Sequence, residues 1–100
     1  MESPYAIVEE RDENCWAPFI VRYPHNGHSV TECAYITQIV AGNGLLSQWV
    51  IMLPTSGYFL AKWSSNAYVD MNRLCQRAKE NVSHMQEWNG HIPIEAMNVE

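Results

Sequence analysis

Two rhythms of apolar and polar positions run along this chain, a helical one late and an alternating one early. Between residues 65 and 88, Ala67, Met71, Leu74, Cys75, Ala78, Val82 and Met85 recur at steps of three and four. That spacing puts them on one face of a 3.6-period helix. Asn72, Arg73, Gln76, Lys79, Glu80 and Gln86 fall mostly on the other face. Ser64, Ser65 and Asn66 offer side-chain acceptors to the first turn, and Asn89-Gly90 offers a left-handed stop. A helix this amphipathic buries its stripe against another element, and the segments before it read as sheet.

Residues 5–9 alternate, with Tyr5, Ile7 and Glu9 on one face and Ala6 and Val8 on the other, which predicts a strand. Residues 9–14, EERDEN, are the only charge-dense run and fall where a hairpin loop belongs. Residues 15–23, CWAPFIVRY, are the returning strand, rich in aromatic and branched side chains. Pro18 lacks the N–H that a ladder needs, so this strand belongs at an edge or carries a bulge. Pro24-His25-Asn26-Gly27 is a turn signal. Ser29-Val30-Thr31-Glu32 then has the spacing of a capping box, in which the Ser29 hydroxyl and the Glu32 carboxylate accept from each other's backbone N–H. Cys33, Ile36, Ile39 and Val40 follow at helical spacing, and Gly42-Asn43-Gly44 ends the segment. This predicts a first helix, with a strand as the alternative because Val30, Thr31, Ile36, Thr37, Ile39 and Val40 all resist helix mildly. Residues 45–53, LLSQWVIML, are apolar on both faces and predict a central strand. Pro54-Thr55-Ser56-Gly57 is a tight turn, and residues 58–63, YFLAKW, return antiparallel. Residues 91–97 alternate weakly and offer a last strand, at an edge because of Pro93. The expected fold is a small α+β domain over 1–100, with an antiparallel sheet of four to five strands and two helices in the order ββαββα.

Composition adds a surface to this picture. One hundred residues make one domain, and 47% hydrophobic residues are enough for a packed core. Four Trp and five Tyr exceed what such a core absorbs, which leaves aromatics for binding. The net charge of −5 disfavours direct contact with nucleic acid or an anionic membrane and favours a protein partner with a basic surface. No apolar run reaches the length of a membrane span. Cys15, Cys33 and Cys75 are odd in number and lack paired spacing, and the N-terminus does not read as a secretory signal. The expectation is three free thiols in a reducing cytoplasm.

The chemistry-bearing residues do not assemble into a motif. The sequence has no Gly-rich phosphate loop, no G-x-S-x-G and no H-E-x-x-H. Cys33 in the first turn of a helix, with His28 nearby, is a conceivable nucleophile and base. Cys33 also lies on the apolar stripe, where free Cys is commonly a small core residue. The expectation is therefore no enzyme, no catalytic residue and no cofactor, with a small Cys-dependent enzyme as the lesser alternative. His25-x-x-His28 has zinc-like spacing but no second paired element, so no metal site is expected. Arg73 and Arg77 stand one turn apart with Lys79 nearby, but Asp70, Glu80 and Glu87 interrupt any basic stripe. They form a second candidate surface.

The sequence of residues Tyr5-Ala6-Ile7-Val8, the acidic turn 9–14, Trp16, then Pro24, Gly27 and Ser29-Val30-Thr31-Glu32-Cys33-Ala34 resembles the ββ-turn-α opening of HicB-type antitoxins. The resemblance covers about a third of the chain. It implies a helix after the turn and the neutralisation of a small RNase toxin, so a toxin-neutralising or immunity protein is the second functional reading. In size, charge and lack of a catalytic constellation, the chain is similar to small phage-encoded inhibitors, anti-CRISPR proteins among them. That similarity implies a stoichiometric inhibitor or regulator, monomer or homodimer, that occupies a basic or nucleic-acid-binding surface of its target. The expected binding residues are Glu9, Glu10, Asp12 and Glu13, four acids within five positions, with Trp16 as the apolar anchor.

Overall fold

Alternation governs more of this chain than helical periodicity does. The structure, a computed structural model, describes residues 6–10, 18–41, 46–63, 68–88, 92 and 94–99. Strands β1 (Ile7–Glu9), β2 (Ile20–His25) and β3 (His28–Cys33) form one antiparallel sheet in that order. Strands β4 (Tyr35–Ala41), β5 (Leu46–Met52), β6 (Phe59–Trp63) and β7 (Asn98–Val99) form a second sheet, antiparallel except for the β6–β7 pair. Helix α1 (Met71–Trp88) lies between β6 and a short helical turn, α2 (Ile94–Met97). The fold is a small compact α+β arrangement, with a Cα radius of gyration of 13.4 Å. A folded chain of this length has that radius as one body.

Two departures from the expected layout have clear physical causes. The first helix expected after residue 29 is absent, and β3 and β4 take its place. Asn26 and Gly27 both have positive φ, 52° and 80°, and His25 pairs with His28. This is a two-residue hairpin turn of the primed type, whose twist matches that of the strands it joins. Once β2 turns back on itself, residues 28–33 are held in its ladder. The branched residues 36, 37, 39 and 40 then suit the pleated β4. Ala34, fully buried between the two strands, donates its N–H to Phe19 O at 3.0 Å as the chain passes from one sheet to the other. The ββ-turn-α opening implied by the antitoxin resemblance is therefore not formed.

The second departure is the single sheet, which is two. The expected last strand at 91–97 is also replaced: α2 occupies its end, and the chain then adds β7 parallel to β6. Other expectations match the observed elements closely. β5 lies between β4 and β6, as its two apolar faces require. The 54–57 turn closes with the Leu53 N–H donating to Tyr58 O at 2.8 Å and the Gly57 N–H to Leu53 O at 2.7 Å. Gly57 has φ of 77°, a conformation that costs a residue with a Cβ.

Helix α1 starts at Met71 rather than at residue 65. Asp70 is its N-cap: Oδ1 accepts from the Arg73 N–H at 3.2 Å, and its carbonyl accepts from the Leu74 N–H at 3.0 Å. The expected caps Ser64, Ser65 and Asn66, with Ala67, lie outside the described residues, as do Asn89 and Gly90. Leu74, Ala78, Val82 and Met85 are buried, Cys75 is half-buried, and Met71 is on the rim at 36% exposed. The stripe packs mainly on β6. One core cluster joins it to Val21 and Tyr23 of the first sheet, Ile51, Leu60, Ala61 and Trp63 of the second, and Val99. Asn81 is the buried polar residue of this face. Its Nδ2 donates to Leu60 O at 2.7 Å and Ala96 O at 3.0 Å, tying α1 to β6 and α2. Among the described residues, no helix is long and apolar enough to cross a membrane.

Candidate functional site

The first expected surface begins on β1, an edge strand of its sheet. Ile7 and Val8 are 37% and 42% exposed there, and the chain runs from them directly into Glu9 and Glu10. Residues 7 and 9 share the outer face of the sheet with residues 20 and 22 of β2, because Ile7 faces Arg22 and Glu9 faces Ile20. That register lets Glu9 reach diagonally to Arg22, Oε1 to Nη2 at 2.8 Å. The Arg22 Nε donates onward to Thr31 Oγ1 at 3.4 Å. Glu9 is thus neutralised within the sheet, whereas Glu10 is exposed. Asp12, Glu13 and Trp16 lie outside the described residues.

The second expected surface is an open groove of about 150 Å³ lined by Arg73, Gln76, Arg77, Glu80 and Val99. Both arginines have internal work. The Arg73 guanidinium carbon sits 5.7 Å from the centre of the Trp63 ring, a cation–π arrangement. The Arg77 Nη1 donates to Ala96 O at 3.4 Å and Asn98 O at 3.3 Å, and its Nε lies 3.5 Å from Glu80 Oε2. Arg77 therefore fastens the α2–β7 segment to α1, and Glu80 balances its charge.

A third cluster was not legible as a site in the sequence. On the inner face of the β2–β3 hairpin, Tyr23 is fully buried and donates its hydroxyl to Glu32 Oε2 at 2.5 Å. Both Glu32 oxygens accept the Thr55 N–H at 3.1 Å, and Oε1 accepts the Thr55 hydroxyl at 2.6 Å. Glu32, read in sequence as a capping-box acid, is instead a clamp between the hairpin and the 54–57 turn. Tyr58 and His25 complete the cluster, with ring centres 5.9 Å apart and planes at 88°. The Tyr23 phenol is pushed up to about 12, first by burial and then by its hydrogen bond to Glu32, with Ser56 pulling it partly back. It stays protonated at neutral pH and acts there as a hydrogen-bond donor, not as a base or nucleophile. The signal available in sequence was Asn26-Gly27, a dipeptide that favours the two-residue hairpin turn. It fixes the register that sets Glu32 beside Tyr23.

The cysteines depart from expectation. Cys33 is disulfide-bonded, and Cys75 is a free thiol on α1. Three free thiols are therefore excluded, and with them the cysteine-based argument for a reducing compartment. Cys15 lies outside the described residues. Cys33 ends a strand and has no free sulfur, so the helix-activated nucleophile with His28 as its base does not form. Burial raises the Cys75 thiol above its usual range, with Lys79 opposing. Peptide mapping after alkylation checks this directly: in the denatured, unreduced chain Cys75 should be labelled and Cys33 should not, until a reductant is added. Among the described residues, no three or more His, Cys, Asp or Glu gather as a metal-holding group. Comparison of the chain with protein-family models, curated proteins and solved structures finds no match, so its surface chemistry has to carry the functional reading.

Proposed function

We propose that this protein is a small stoichiometric inhibitor or regulator of the phage-encoded type, with anti-CRISPR proteins as an example. It acts by occupying a basic or nucleic-acid-binding surface of a protein target. The observation that carries the reading is the β1 edge. There, two exposed apolar residues, Ile7 and Val8, lead straight into an acidic stretch in a chain of net charge −5. Apolar contact supplies affinity, and the adjoining negative charge supplies association rate and choice of partner. The Glu9–Arg22 bridge refines the set of acting residues. Glu9 is already paired and Glu10 is exposed, so Glu10, with Asp12 and Glu13 that follow it in the acidic run, are the proposed acting charges, and Trp16 is the proposed aromatic anchor. The Arg73–Arg77 groove ranks second, since Arg77 is engaged in holding the C-terminal segment.

Charge reversal tests this. The Glu10→Lys, Asp12→Lys, Glu13→Lys variant should keep the wild-type melting temperature. It should lose at low salt the basic partner that wild type retains from lysate of the source cells. Association with that partner, once isolated, should slow by roughly tenfold or more. Wild-type binding by the reversed variant would discard the acidic surface and move the search to the α1 groove.

A further inference from the structure

The β2–β3 hairpin sets the two imidazoles of His25-x-x-His28 directly opposite each other. His25 and His28 are directly opposed partners on either side of the Asn26-Gly27 turn. Opposed residues of an antiparallel pair project to the same face, with Cβ atoms about 4.5–5.5 Å apart. A two-residue turn of this type holds that separation, because its backbone twist matches the strands and leaves no loop to flex. The His25 ring is fixed further by its neighbours. It meets the Tyr58 ring edge-on at 5.9 Å and lies 6.1 Å from the Tyr23 ring. Its Nε2 is 3.4 Å from the Asn26 side-chain amide nitrogen. That contact is long and lies at an exposed position. His28 is exposed across the turn.

We propose that His25 and His28 form a two-imidazole binding site for a borderline divalent transition-metal ion of the Ni²⁺, Cu²⁺ and Zn²⁺ class. Neutral imidazole is a favoured ligand of these ions. Metal–nitrogen bonds of about 2.0–2.1 Å for zinc are within reach of two rings that start so close at Cβ. A metal at Nε2 displaces the long amide contact from Asn26, which is exposed. Two protein ligands leave the remaining positions to water or to a side chain of a partner, so the site is open and its affinity modest. It is independent of the acidic β1 edge: it lies at the tip of the hairpin on the inner face, whereas Glu9 and Arg22 lie on the outer face.

The test uses the untagged chain and Ni²⁺ alone. Calorimetry should give one equivalent bound. Paramagnetic broadening in amide spectra should centre on residues 23–30 and 56–58. His28→Gln, an exposed change that leaves the fold intact, should weaken binding by at least about tenfold, the scale on which metal sites respond to losing even supporting groups. His84→Gln should leave binding unchanged. Zn²⁺ should raise the melting temperature of wild type but not of the His28 variant. The proposal is overturned by no measurable binding, by equal binding in His28→Gln, or by broadening centred on His84 or His91.

Discussion

Leu74→Ala should lower the stability of the folded chain by about 2–5 kcal/mol, the larger of two contrasting effects on neighbouring residues of α1. Leu74 is fully buried in the cluster with Leu60, Ala61 and Trp63. Truncating it removes apolar contacts and leaves a void between two elements of regular backbone, a helix and a strand, that cannot easily close over it. Its neighbour Arg73 is exposed. Arg73→Ala removes one cation–π contact to Trp63, worth about 0.5–1 kcal/mol at an exposed position. Denaturant melts of the two variants should separate by a factor of two or more in midpoint shift, with little change in slope. Equal, small shifts would mean that α1 does not bury its stripe on β6 and would undo the account of the core.

Much of the second half of the fold was legible because local signals agreed with one another there. Residues 45–63 carry a strand pattern apolar on both faces, a Pro-Thr-Ser-Gly turn and a returning aromatic strand, and the chain folds that way from Leu46 to Trp63. The α1 stripe was legible from Leu74 to Met85 for the same reason. Its start was not, because several polar residues before it have capping side chains, and the one that acts is Asp70. The largest misreading, a helix at 29–41, arose from weighing a four-residue capping pattern above the branched residues that follow it. Helix propensity is a weak prior. The hairpin turn at Asn26-Gly27 supplies backbone partners that a capping box has no means of outcompeting. The split into two sheets was not readable at all, since it depends on Ala34 passing under Phe19, a contact between residues fifteen apart. Of the candidate site, the position of the acids was plain in sequence. The Glu9–Arg22 bridge was not, because it follows from the register of β1 on β2.

Loss of the Glu32 clamp is the second large effect expected. Glu32→Ala removes the acceptor for the Tyr23 hydroxyl and for both the N–H and the hydroxyl of Thr55. Hydrogen bonds to a charged group are worth about 1.5–3 kcal/mol each, and a buried hydroxyl that loses its acceptor costs about 1–3 kcal/mol. These contributions overlap, so a net loss of about 3 kcal/mol is expected. Tyr23→Phe introduced into the Glu32→Ala background should add little, since the hydroxyl it removes has already lost its acceptor. A double-mutant cycle measures that coupling. The same pair sets an alkaline limit. Tyr23 is raised from 10.0 to about 12 in the folded chain, which means that folding tightens its hold on the phenolic proton. The stability this contributes is present in full below pH 10 and is lost as pH rises through about 12. Wild type should therefore weaken over that window, with a late tyrosinate signal in ultraviolet absorbance, and Tyr23→Phe should abolish the late step. In Glu32→Gln the step should move to lower pH without vanishing, because burial, the larger cause, is retained. If the late step survives in Tyr23→Phe, another tyrosine carries it. If the double-mutant coupling is also near zero, Glu32 does not clamp the hairpin to the 54–57 turn.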